Sequence, residues 1–148
     1  MTTVSYEGDI VAWANQQAWL IRNKKFELLD LEHIAEEIES VGISEQRELA
    51  SRMAVLLLHL LKWQYQPARQ GTSWQLTIKN QRERLKRRLK KTPSLKQCLK
   101  DEDWWSDAWG DALDETEKET GIAIEKLPQE CPWTVEQILD DSWFPNGQ

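Results

Sequence analysis

Between Glu45 and Gln66 the apolar residues return every three or four positions, and this stretch constrains the fold more than any other. Wound at about 100° per residue, Leu49, Met53, Leu56, Leu57, Leu60, Leu61 and Trp63 fall on one wide arc. A strand, with its period of two, cannot gather them on one face. The spacing predicts a long helix from about Glu45 to Gln66, ended by Pro67, whose apolar arc other helices must cover. Glu48, Arg52, Val55, His59, Lys62 and Gln66 are left over, and they stack along one line as a narrow polar seam. His59 and Lys62 therefore belong to the edge of a mostly buried helix. That edge faces either water or a polar groove between helices.

The rest of the chain reads the same way. Asp9 caps a helix carrying Ile10, Trp13, Ala14, Gln17, Leu20 and Ile21 on one face. Asp30 caps a second, with Leu31, Ile34, Ala35, Ile38 and Val41 at helical spacing, and Gly42 is expected to stop it before Ser44 opens the long helix. A fourth, basic helix is expected from about Trp74 to Lys91, capped by Thr72 or Ser73. Thr92-Pro93 starts a short helix leading into an acidic, Trp-rich one that Gly121 ends. Thr134 and Gln137 form a capping box for a short last helix before the tail at Ser142. No period-two strand or hairpin signal stands out. The expected fold is an all-α bundle of four main helices plus an acidic C-terminal helix and a short terminal one. It forms a single domain over 1–148, with 1–91 as the bundle core and 92–148 packing on it.

A chain of 148 residues can bury a core without disulfides, and Cys98 and Cys131 read as ordinary thiols of a cytoplasmic protein. No apolar run approaches the roughly 20 residues of a membrane span, and no secretion signal opens the chain. The net charge of -6 hides an asymmetry: Arg69–Lys100 carries a net +10 and Asp101–Gln148 a net -12. The first expectation is mutual neutralisation within the fold. The alternative is a nucleic-acid surface on the fourth helix, with Arg84, Lys86, Arg87, Lys90 and Lys91 as candidates.

Arg82 falls inside the apolar stripe Trp74, Ile78, Leu85 and Leu89, and a buried guanidinium needs a partner. The first expectation is a salt bridge to Glu36 or Glu39. The alternatives are a groove lined by Glu36, Glu39, His59, Lys62 and Arg82, or a stem that snorkels to solvent. Two carboxylates with a histidine can hold a divalent metal, and a lysine or arginine can hold phosphate. In that reading Glu36, Glu39 and His59 are the metal ligands of a nuclease or phosphodiesterase, and all five residues are its catalytic candidates. No P-loop, nucleophile elbow or dinucleotide fingerprint is present. Trp105, Ala108, Trp109 and Ala112 share a face expected to pack, while Trp104 points elsewhere, where it could anchor a protein partner.

These residues also form a recognisable series. Tyr6 with Asp9 and Trp13, "LDLEHIAEEIES" from Leu29, "HLLKWQYQP" from His59, "SWQLTI" from Ser73 with Arg82, "PSL" from Pro93 and "CPWTVEQILD" from Cys131 occur in order. The chain resembles the bacterial domain-of-unknown-function family 29 over nearly its whole length. The resemblance implies a compact all-helical fold and carries over no catalytic or binding residue. The leading functional expectation is a small protein-binding or regulatory module without catalysis. The metal-dependent enzyme and the nucleic-acid binder stand as alternatives.

Overall fold

The computed structural model describes residues 4–146, and among them the only regular secondary structure is helical. The helices are α1 (Ile10–Arg22), α2 (Leu31–Tyr65), α3 (Thr72–Lys91), α4 (Glu102–Thr120) and α5 (Val135–Leu139), joined by 3-10 segments at Phe26–Leu28, Pro67–Arg69, Pro93–Lys100 and Ile124–Lys126. The chain forms two compact units, with the boundary between Ser44 and Glu45, inside α2.

The expected helix break at Gly42 is absent: α2 runs unbroken from Leu31 to Tyr65. A glycine stop needs a left-handed residue that lets the freed carbonyls find partners. Among the described glycines only Gly121 has positive φ, at 77°, and it ends α4 as expected. Mid-helix, Gly42 costs about 1 kcal/mol relative to alanine. Two new helix ends would leave eight backbone groups needing partners, so the continuous helix prevails.

In the first unit Asp9 caps α1 through the Ala12 amide. The unit buries little: Trp13, Leu20 and Gln17. Gln17 Oε1 accepts from the Asp30 amide at 2.8 Å, which ties α1 to the start of α2.

The second unit holds the main core. Leu49, Met53, Leu56, Leu57, Leu60 and Leu61 are fully buried, as the periodicity of their segment requires. Ile78, Leu85 and Leu89 of α3, Ala108, Trp109 and Ala112 of α4 and Ile138 of α5 close over them. Each large side chain taken from water contributes about 1.5–3 kcal/mol. Asp101 caps α4 through two amides, and the Thr134–Gln137 capping box forms at α5. Trp104, expected to point away, is buried and donates its indole N–H to the Gln46 carbonyl at 3.0 Å. Trp105 is the more open of the pair, and its indole donates to Leu99 O. Both cysteines are free. Of the tail expected after α5, residues 147 and 148 lie outside the described range.

Candidate functional site

Arg82 is the most constrained charged group in the second unit. It is fully buried, at 0% exposure, and its Nε donates to Ile138 O and its Nη2 to Trp143 O, both at 2.7 Å. Its guanidinium also lies 5.3 Å from the Phe144 ring centroid. The carboxylate partner expected for it is replaced by main-chain carbonyls of the segment after α5. A planar fork can hold two carbonyls at once, where an ammonium would offer one point of charge. Burial lowers the Arg82 pKa from its usual value, and Asp141 and Asp140 oppose that shift. Arg82 therefore clasps the C-terminal segment.

Within the polar seam of α2, His59 and Lys62 both have partners, while Gln66 Oε1 is buried without one. His59 Nδ1 lies 2.8 Å from the Val55 carbonyl one turn back, so that nitrogen carries the proton. Lys62 pairs with Glu119 at 2.8 Å and sits 5.4 Å from the Trp74 ring centroid. Neither side chain shares a hydrogen bond or ion pair with Arg82 among the described residues.

In the first unit Glu36 and Glu39 are exposed and form no ion pair among the described residues. The organised chemistry there lies beside them. His33 Nδ1 bonds Asp30 Oδ2 at 2.7 Å and its Nε2 faces Glu7 at 3.3 Å. Its ring stacks on Tyr6 at 4.1 Å, Trp13 donates its indole N–H to Asp30 at 3.0 Å, and the Tyr6 hydroxyl donates to Glu37 at 2.5 Å. The Asp30 hydrogen bond raises the His33 pKa and holds the Asp30 carboxyl below its usual range. The Glu37 bond pushes Tyr6 up to about 12. Sequence reasoning paired Tyr6 with Trp13 and read Asp30 as a helix cap, but did not join them to His33. Asp30 and His33, one turn apart at a helix start, were the available signal. Among the described residues no group of three or more His, Cys, Asp or Glu is placed to hold a metal ion.

The first unit also carries an apolar strip. Leu31, Ile38 and Val41 are each about two-thirds exposed. With Ile34 they repeat at three and four residues along α2, and Glu32, Glu36 and Glu39 stand exposed on the same helix. Of the large hydrophobics left exposed, all but Val55 and Leu76 lie between Ile10 and Ile43.

Two hollows of the second unit bear on function. The smaller, about 420 Å³, is lined by Arg52, Arg84, Arg87, Arg88 and Lys91. Three of the nucleic-acid candidates, Arg84, Arg87 and Lys91, thus share one hollow, with Arg52 and Arg88 as members the sequence reading did not include. Lys86 is drawn off to Asp141 at 3.1 Å, and Lys90 is exposed outside the lining. Arg52 and Arg88 are held by Glu48, and Arg88 also by Glu45. The larger hollow, about 780 Å³, lies between α4 and the segment from Gln129 to Val135 and is walled by Trp105, Trp109 and Trp133. Cys131 opens on it, but burial pushes its thiol up to about 11, far from a ready nucleophile.

Comparison with protein families matches residues 5–144 to the domain of unknown function DUF29. Neither the curated proteins nor the solved structures gave a match.

Proposed function

The chain belongs to the DUF29 family, and from that premise and the geometry above we propose that it is a small regulatory module, without catalysis, that binds a partner protein through the first half of α2. The observation that carries this reading is the strip Leu31, Ile34, Ile38 and Val41, in which Ile34 is half-buried and the other three are exposed. Positions 31 and 38, and 34 and 41, are seven residues apart, the repeat a second helix needs to pack along the first. Apolar side chains left in water at this spacing gain about 1.5–3 kcal/mol each when a partner covers them. Glu32, Glu36 and Glu39 carry no ion pair among the described residues, so an amphipathic helix with basic residues beside its apolar face is the fitting partner.

A photo-reactive residue at Ile38 tests this in the native host. It should give a discrete adduct that the same probe at Ser40, on the opposite side of the helix, does not. Replacing Leu31, Ile38 and Val41 by serine should abolish the adduct while leaving thermal stability nearly unchanged. Equal labelling from both positions removes the reading.

A second reading rests on a separate observation, the all-basic hollow. Arg84, Arg87 and Lys91 have no carboxylate partner among the described residues and follow one line of α3. That arrangement suits the phosphates of a nucleic-acid backbone, and retention on duplex DNA that weakens with salt tests it.

A further inference from the structure

We infer that the hollow between α4 and the Gln129–Val135 segment binds a small organic cation, an alkylated ammonium carrying an apolar tail. Its volume of about 780 Å³ falls in the range of ligand pockets rather than packing defects. Its walls are the rings of Trp105, Trp109 and Trp133, with Trp109 and Trp133 set edge to face at 5.6 Å. Tryptophan presents the strongest ring face to a cation.

Two of the three indoles are already committed as donors. The Trp105 indole donates to Leu99 O and the Trp109 indole to Pro128 O, so neither N–H is available to an anion. The Cys131 thiol is engaged with Trp133 O. Charge along the lining is lopsided: Glu102, Asp103 and Glu130 stand against Lys100 alone, and none of the three carboxylates has an ion pair among the described residues. Glu102 and Asp103 sit in the first turn of α4, where the helix dipole already favours them. Glu130 lies outside any helix and has no such local reason, which makes it the discriminating carboxylate.

Indole rings and unpaired carboxylates lining one hollow select for positive charge. The same walls choose among cations. A guanidinium brings five N–H groups, and those turned to the indole rings rather than to the carboxylates would be left unsatisfied. An alkylated ammonium brings few or none, and its methyl groups pack on the rings. Leu113 and Val135 offer the tail an apolar surface.

Hexyltrimethylammonium, added to the full chain below its micelle concentration and followed by tryptophan fluorescence and calorimetry, is the direct probe. Saturable binding is expected, at least about tenfold tighter than that of the neutral isostere, in which carbon replaces the quaternary nitrogen. Glu130→Gln should weaken it several-fold with an unchanged melting temperature, and Trp105→Leu should weaken it further. Hexylguanidinium should bind more weakly than the quaternary amine. Equal binding of the neutral isostere would reduce the hollow to a grease pocket and overturn the inference, as would insensitivity to Glu130→Gln. Tighter binding of hexylguanidinium overturns the choice of an alkylated ammonium. Absence of saturation up to about 10 mM overturns the site altogether.

Discussion

At the scale of single residues, two groups hold more than their sequence positions suggest. Arg82 is separated from Ile138 by 56 residues and from Trp143 by 61, so nothing local in the sequence names its partners. Sequence reasoning rightly saw that a guanidinium inside an apolar stripe needs compensation. It looked for a carboxylate because charge pairs with charge, whereas here two carbonyls serve. Arg82→Met removes the fork and leaves both carbonyls short of a donor, so the expected loss is about 2–4 kcal/mol. A lower denaturation midpoint with an unchanged urea slope, and a changed emission from Trp143, would report it. Arg82→Lys should fall between, since one ammonium cannot copy the fork. His33 gives the other residue-scale prediction. Its pKa is raised, chiefly by Asp30 and further by Glu7 and Glu36. Its contribution is therefore complete below the ordinary imidazole value of about 6.5 and is lost as pH rises through the raised value. Asp30 is lowered, so its contribution persists down past the ordinary carboxylate value of about 4 and fails only in stronger acid. The first unit should be tightest between those limits. Protection of the Trp13 and His33 amides, corrected for intrinsic exchange, should drop as pH rises above the ordinary imidazole value and through the raised His33 value, and His33→Asn should flatten that profile.

At the scale of elements, helices with chemical punctuation were legible, and of the two stops inferred from a glycine the one at Gly121 holds and the one at Gly42 does not. Asp9, Asp101 and Thr134 each cap through their own side chains, and Gly121 stops α4 in the left-handed conformation. Such signals act over three or four residues, so a sequence displays them. At Thr92-Pro93 the start signal was right but the product is a 3-10 segment, Pro93–Lys100. At α3 the expected side-chain cap is absent, since Gly71 occupies the cap position and Thr72 is already helical. Gly42 failed as a stop because glycine permits a left-handed turn without enforcing one. The consequence is testable in α2 itself. A Cβ built on Gly42 meets nothing within 4 Å, so Gly42→Ala introduces no clash. It should raise stability by about 0.5–1 kcal/mol and increase helicity, seen in the far-ultraviolet dichroism of the intact chain. A destabilised or less helical variant would mean that residues around Gly42 leave the helical conformation in solution, and would return the break that the sequence suggested.

At the scale of the whole molecule, charge organises what the sequence could only tally. Its basic and acidic blocks were expected to neutralise each other, yet Lys86 with Asp141 is the one α3 cation paired to the acidic third among the described residues. Arg88 turns instead to Glu45 and Glu48 on α2. The hollow formed with Arg52 was not legible because its members come from helices far apart in sequence, and a run of cations does not say which neighbours a fold will supply. The site was therefore less readable than the fold: apolar spacing fixes a helix face locally, while a pocket depends on which faces meet. The charge left unpaired sets a quantitative expectation. If Arg84, Arg87, Lys91 and the outer edge of Arg52 each displace one counterion from duplex DNA, log K should fall against log salt with a slope of about -3 to -4. The net charge of -6 works against long-range attraction, so binding should be modest and best seen at low salt, near about 50 mM. Replacing Arg84, Arg87 and Lys91 by alanine should remove most of that slope, whereas Lys86→Ala should hardly change it because Asp141 already holds that ammonium. A slope unaltered by the triple replacement would place any DNA contact elsewhere, and the hollow would then be a solvated basic face steadied by Glu45 and Glu48.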